Sequence, residues 1–177
     1  MTGIAPTPFG ATEQAGAVSL YRLSNAHGMT ADITTLGACL VSLRVPDGHD
    51  GFADVVLGYD GAAGYAVNGP NFGATVGRHA NRIGGASFEL GGTRYELSAN
   101  EKGNSLHSGP DSWHHRRWDV VEAEQDADAA HITLRLESPD GDQGFPDAPH
   151  HPEFAQPVFG PGRPYRSRTT YAFHHEA

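Results

Sequence analysis

A single cysteine, Cys39, rules out an intrachain disulfide, and its apolar neighbours Ala38, Leu40 and Val41 mark it as a buried free thiol. Lysine is equally scarce. Lys102, the one lysine, sits beside Gly103 in a polar loop with no apolar run to desolvate it, which excludes Schiff-base chemistry. Positive charge is short as well: 12 Lys and Arg stand against 21 Asp and Glu, for a net charge of −9. Nucleic-acid binding rests on clustered positive surface, so no such partner is expected, and a neutral or cationic ligand suits the balance better. No apolar run approaches membrane-spanning length, and residues 1–8 lack the basic and apolar segments of an export leader. The expectation is a cytoplasmic protein with no membrane partner. A long amphipathic helix is missing too.

What is present is short alternating runs. Residues 18–23 and 30–34 flank a turn at 25–28 and read as a hairpin, 40–45 runs into the turn Pro46-Asp47-Gly48, and 54–58 reads as a short apolar strand. The best place for a helical turn is 60–65, although Gly61 and Gly64 weaken it. Further on, 118–123 and 131–137 alternate apolar with polar, 138–141 (Ser-Pro-Asp-Gly) is a turn, and 166–173 reads as a terminal strand. The pattern is all-β, with strands spaced as in an antiparallel sandwich. With 177 residues and 38% hydrophobic content, residues 1–177 form a single domain around one core.

The chain is organised around residues 72–109. There glycine brackets two polar clusters, 77–82 (Gly-Arg-His-Ala-Asn-Arg) and 104–107 (Asn-Ser-Leu-His), and between them 88–97 forms a hairpin on Gly91-Gly92. The hairpin brings its ends together, so Asn81, Arg82 and His107 converge beside one sheet edge. Guanidinium, carboxamide and imidazole suit a small neutral molecule rich in hydroxyls. The blander alternative, in which Arg82 and Asn81 only satisfy loop carbonyls around the glycine turns, is the commoner use of polar loop residues. Three histidine pairs, His114-His115, His150-His151 and His174-His175, invite a metal. Adjacent residues on a strand point to opposite faces, however, and no metal is expected. Trp113 and Trp118 flank Arg116-Arg117 and offer either a sugar-stacking face or, for Trp118, a core position.

The segment GATVGRHANRIGGASFELGG followed by NSLHSG resembles the aldose 1-epimerase (galactose mutarotase) family, whose members carry G-R-x-A-N-R-I, a hairpin, then L-H-G-G or L-H-S-G. The resemblance begins at 28–38 and 54–58 and continues through Trp118 to 138–141. It implies a large antiparallel β-sandwich with the sugar site on one broad sheet. It further implies interconversion of the α and β anomers of aldoses such as galactose or glucose, by acid/base ring opening without cofactor or metal. In that reaction the anomeric hydroxyl loses a proton, the ring oxygen gains one, the ring opens, and closure gives the other anomer. On this resemblance Asn81 and Arg82 hold sugar hydroxyls, while His107 contacts the ring oxygen or a neighbouring hydroxyl and is the candidate acid.

The chain also departs from the family. Residues 1–141 resemble the family's N-terminal half, 145–177 its extreme C-terminus, and a long middle section is missing, with the join inside 140–145. The family's acid, a His in N-H-x-Y-F-N, its base, a Glu shortly before F-P-D-A-P, and an Asp that grips the sugar hydroxyls belong to the missing part. Aligned on F-P-D, Gly141 stands at the Glu position between Asp140 and Asp142. Asp142 is then a candidate base, one methylene shorter and one residue displaced; its other reading is a solvated turn carboxylate. Lost strands would leave unpaired sheet edges open to self-association. Two alternatives therefore stand beside an active epimerase: a non-catalytic carbohydrate-binding module, and an inactive truncated product of a deletion or a faulty gene model.

Overall fold

The computed structural model describes residues 2–126 and 129–138. Asp142, the histidine pairs at 150–151 and 174–175, and the strand expected at 166–173 lie outside them.

In chain order the strands are β1 (Thr2–Gly3), β2 (Thr7–Thr12), β3 (Gly16–Ser24), β4 (Thr30–Thr34), β5 (Leu40–Pro46), β6 (Phe52–Asp54), β7 (Arg82–Ile83), β8 (Ser87–Leu90), β9 (Thr93–Glu96), β10 (Ser105–Leu106), β11 (Asp119–Gln125) and β12 (Ala130–Arg135). One short helix, α1 (Ala62–Val67), precedes β7. Strands β2-β3-β4-β5-β6 form an antiparallel meander, β1-β11-β12 a second sheet, and β7/β10 and β8/β9 two ribbons. Strands β11 and β12 lie against β3. The architecture is the expected all-β one.

The β3/β4 hairpin is fixed by its turn and by one charged pair. The Asn25 side-chain oxygen accepts the N–H groups of His27 and Met29 at 3.0 and 3.1 Å. In the resulting register Arg22 faces Asp32, and its guanidinium donates twice to that carboxylate, at 2.8 and 2.7 Å. Such forked pairs fix geometry as well as energy.

Two expectations are corrected. The first strand is expected at 18–23, yet residues 7–12 ahead of it form β2, an edge strand whose register slips between Pro8 and Gly10. An edge position tolerates proline because its missing N–H faces away from the ladder. The apolar strand expected at 54–58 instead ends at Asp54. That carboxylate accepts the N–H groups of Leu43 and Val56, both at 3.0 Å, and so turns the chain out of the sheet. Val55 and Leu57 are consequently 54% and 72% exposed beside the β6 edge.

The core joins the meander to α1: Val18, Leu36, Cys39, Ala62 and Tyr65 are buried together, with Phe9, Val41 and Tyr59 packed against them. Cys39 has no exposed surface, and burial pushes its thiol up to about 12. A disulfide reagent should therefore leave the native protein unlabelled near pH 8 and modify one thiol per chain in denaturant. Labelling under native conditions at the denatured rate would contradict this packing.

Candidate functional site

Strand β7 pairs with β10 so that Ile83 faces Ser105 and Arg82 faces Leu106. The β8/β9 hairpin between them turns on Gly91 and Gly92, both at positive φ (58° and 78°), as a tight primed turn requires. Closing this loop sets Asn81 against His107. The His107 N–H donates to the Asn81 carbonyl at 2.9 Å, and the Asn81 N–H donates to Nδ1 of His107 at 3.0 Å.

This second bond decides the state of the ring. Because Nδ1 accepts, it carries no hydrogen, so the neutral imidazole holds its proton on Nε2 and presents that nitrogen as a donor. Burial, assisted by the nearby Arg82 charge, lowers the His107 pKa and favours the same neutral form. Asn81, His107 and Ser108 have left-handed backbones, with φ of 66°, 52° and 68°. Such conformations cost about 1–3 kcal/mol each and persist only where the surroundings over-determine them.

Arg82 donates from Nε to Glu101 at 3.0 Å and from Nη1 to the Asn81 side-chain oxygen at 3.2 Å. Its described partners are thus side chains, not the loop carbonyls of the blander expectation. The Glu101 bond raises the arginine pKa and lowers that of the carboxylate. Behind His107, the Ser108 hydroxyl accepts the His79 N–H at 2.8 Å, and burial lowers the His79 pKa.

A cleft of about 200 Å³ opens on the other side of His107, lined by Asn71, Leu106, His107, Pro110, His114 and His115 among others. Arg82 and Asn81 are not in its wall. They hold His107 from outside.

His114 and His115 lie in a 3-10 turn, Trp113–His115, rather than a strand. Their rings therefore sit together, centroids 4.0 Å apart, instead of on opposite faces. His114 is buried beside the Ser112 hydroxyl, and burial lowers its pKa from 6.5 to about 4. The unfolded chain then takes up this proton first. Stability is complete above about pH 6.5 and falls by about 3 kcal/mol as pH drops through 4, at 1.36 kcal/mol per unit. Urea titrations at pH 7 and 4.5 should show this loss, and His114→Gln should flatten the dependence in that window.

The Trp113 ring covers Gly77 so closely that a Cβ there would fall inside it, and its edge meets Trp118 with centroids 5.9 Å apart. One face of Trp113 is thereby taken. The Ser138 hydroxyl accepts from Arg78 Nε, Trp113 Nε1 and Arg116 Nη1 at 2.7, 3.1 and 3.3 Å. Groups able to hold a metal lie elsewhere, on β11 and β12: ligand atoms of Glu122, Glu124 and His131 are within 4.8 Å of one another. These are partly exposed groups, with His131 ion-paired to Glu122 at 3.4 Å.

The structure thus brings together Asn81, Arg82 and His107. Sequence reasoning missed Glu101, His79, Ser108 and the cleft-facing role of His114-His115. Pro110 and Ser112 just before that pair were the available signal for a turn.

The sequence model of the aldose 1-epimerase family matches residues 19–147. Galactose mutarotase from Bos taurus is 36% identical over 132 residues, which is 75% of this chain and 37% of that protein. Aldose 1-epimerase from Escherichia coli K12 is 34% identical over 127 residues, 72% of this chain and 36% of that one. Among solved structures, a GalM/aldose epimerase homologue from C. elegans superposes with a TM-score of 0.62 at 30% identity, covering 72% of this chain and 39% of the other. Galactose 1-epimerase from Lactobacillus acidophilus NCFM, at 24% identity and TM-score 0.63, shares the fold. The chain spans roughly two fifths of the length of these relatives.

Proposed function

Because this chain belongs to the aldose 1-epimerase family, we propose that it binds a free aldose such as galactose or glucose and interconverts its α and β anomers. The observation that carries the proposal is the reciprocal bonding of Asn81 and His107, which leaves Nε2–H of His107 as a fixed donor in the wall of a cleft. About 200 Å³ is small beside ordinary ligand clefts of about 300–1,000 Å³, and suits a monosaccharide better than an oligosaccharide. In this reading His107 donates to the ring oxygen, where negative charge develops as the ring opens. Arg82 and Asn81 take part in this reading from outside the cleft wall: Asn81 orients His107 and Arg82 holds the Asn81 side chain. Asp142, the base position suggested by the sequence, lies outside the described residues.

The test is the α-to-β exchange rate of galactose by NMR, recorded with the protein's own amide dispersion. Acceleration over buffer is the expected result. The same fixed donor carries one other reading, a carbohydrate-binding module, since holding a sugar hydroxyl needs no base. That reading predicts saturable galactose binding by a well-dispersed protein with no faster exchange. We also read residues 1–141 and 145–177 as the two ends of the family domain joined directly; resequencing the locus would expose a gene-model error.

A further inference from the structure

We infer that His115 is the base that takes the anomeric proton, paired across the cleft with the donor His107. The inference rests on the anomer-exchange reading above and deepens it, since a ring-opening reaction needs an acceptor as well as a donor.

The two rings are held in opposite tautomers. Both rings line the same cleft. In His107, Nδ1 accepts the Asn81 N–H, so Nε2 is a donor. In His115 the situation is reversed: Nδ1 lies 3.2 Å from the Pro110 carbonyl. A carbonyl can only accept, so this Nδ1 must carry the hydrogen, and Nε2 keeps a lone pair. The two backbone partners therefore set opposite roles on two otherwise equivalent side chains. The short 3-10 turn holds His115 in place, with its ring against that of His114, which at neutral pH is uncharged and offers no repulsion to a protonated neighbour.

The step balances without redox chemistry. The proton on the anomeric O1 moves to Nε2 of His115, and the O1–C1 bond becomes a carbonyl. The C1–O5 bond breaks with its electron pair left on O5, which accepts a hydrogen bond from Nε2–H of His107 and takes a proton from water. The resulting hydroxide is neutralised by the His115 imidazolium through solvent. After rotation about C1–C2, the reverse sequence closes the ring as the other anomer, and both histidines return to their starting tautomers.

The experiment uses the full chain. Nitrogen-15 spectra should show His115 with a protonated Nδ1 and a bare Nε2, the latter shifted by added galactose. His115→Ala should slow galactose exchange by about 100-fold, the low end of general acid–base contributions, while galactose affinity stays within about threefold, and added imidazole should restore part of the rate. Exchange at the wild-type rate in His115→Ala, with galactose still bound, would overturn the assignment and leave the anomer-exchange reading intact. Loss of rate together with loss of binding and no imidazole rescue would overturn it too, by showing a structural role. A wild-type chain that does not accelerate exchange at all is a different failure: it refutes the proposed function, and this inference with it.

Discussion

His107→Ala should slow galactose anomer exchange by about 10²–10³-fold, the effect of deleting one preorganised donor aimed at developing negative charge. The expectation follows from what the loop has done to the ring. The Asn81 N–H occupies Nδ1, so the imidazole faces the cleft as a neutral Nε2–H donor. His107→Gln separates this role from proton donation. A glutamine amide can reach a similar point and donate a hydrogen bond, but it cannot give up a proton, so it should recover at least tenfold of what alanine loses. Equal rates for the two variants would mean that His107 transfers a proton. Burial and Arg82 lower the His107 pKa, so the neutral ring itself should persist below the ordinary histidine range as pH falls, which its nitrogen-15 shifts would report.

The convergence of Asn81, Arg82 and His107 was legible because it depends on local rules. A Gly-Gly turn between two alternating runs makes a hairpin, and a hairpin joins whatever flanks it. What that convergence would look like was not legible. Nothing in 77–82 or 104–107 announces that the Asn81 N–H, a backbone group, selects the tautomer of His107, since that bond needs two left-handed residues 26 positions apart in the chain. The His114-His115 pair was misjudged for a related reason. Side-chain direction was inferred from strand periodicity, whereas Pro110 and Ser112 had already placed the pair in a 3-10 turn whose rings share a side. The end of β6 at Asp54 is a third case, where one side-chain carboxylate competing for backbone N–H groups overrode an apolar pattern.

Tyr65→Ala should cost about 3–5 kcal/mol of folding stability, the range for truncating a buried aromatic. Tyr65 has no exposed surface, and its ring packs on Phe9 and Tyr59 with centroids 5.9 and 5.3 Å apart. Its hydroxyl accepts the Tyr59 N–H at 3.3 Å, so the truncation opens a cavity and also strands a backbone donor. Tyr65→Phe keeps the ring and loses only that bond, and should cost about 1 kcal/mol. Domains of this size hold about 5–15 kcal/mol in total, so the alanine variant gives up about a fifth of its margin or more. Urea unfolding followed by Trp113 and Trp118 fluorescence measures both values. Cys39 supplies an independent check because it lies in the same cluster, and its native-state labelling should speed up in Tyr65→Ala but hardly in Tyr65→Phe. The functional consequence runs through α1, which Tyr65 anchors: Val67 and Asn68 at its end, and Asn71 just beyond, line the cleft wall facing His107. Galactose affinity should therefore weaken in Tyr65→Ala while Tyr65→Phe binds as wild type. An alanine variant with unchanged stability would instead place the folding energy outside this core, in the packing of β11 and β12 on β3.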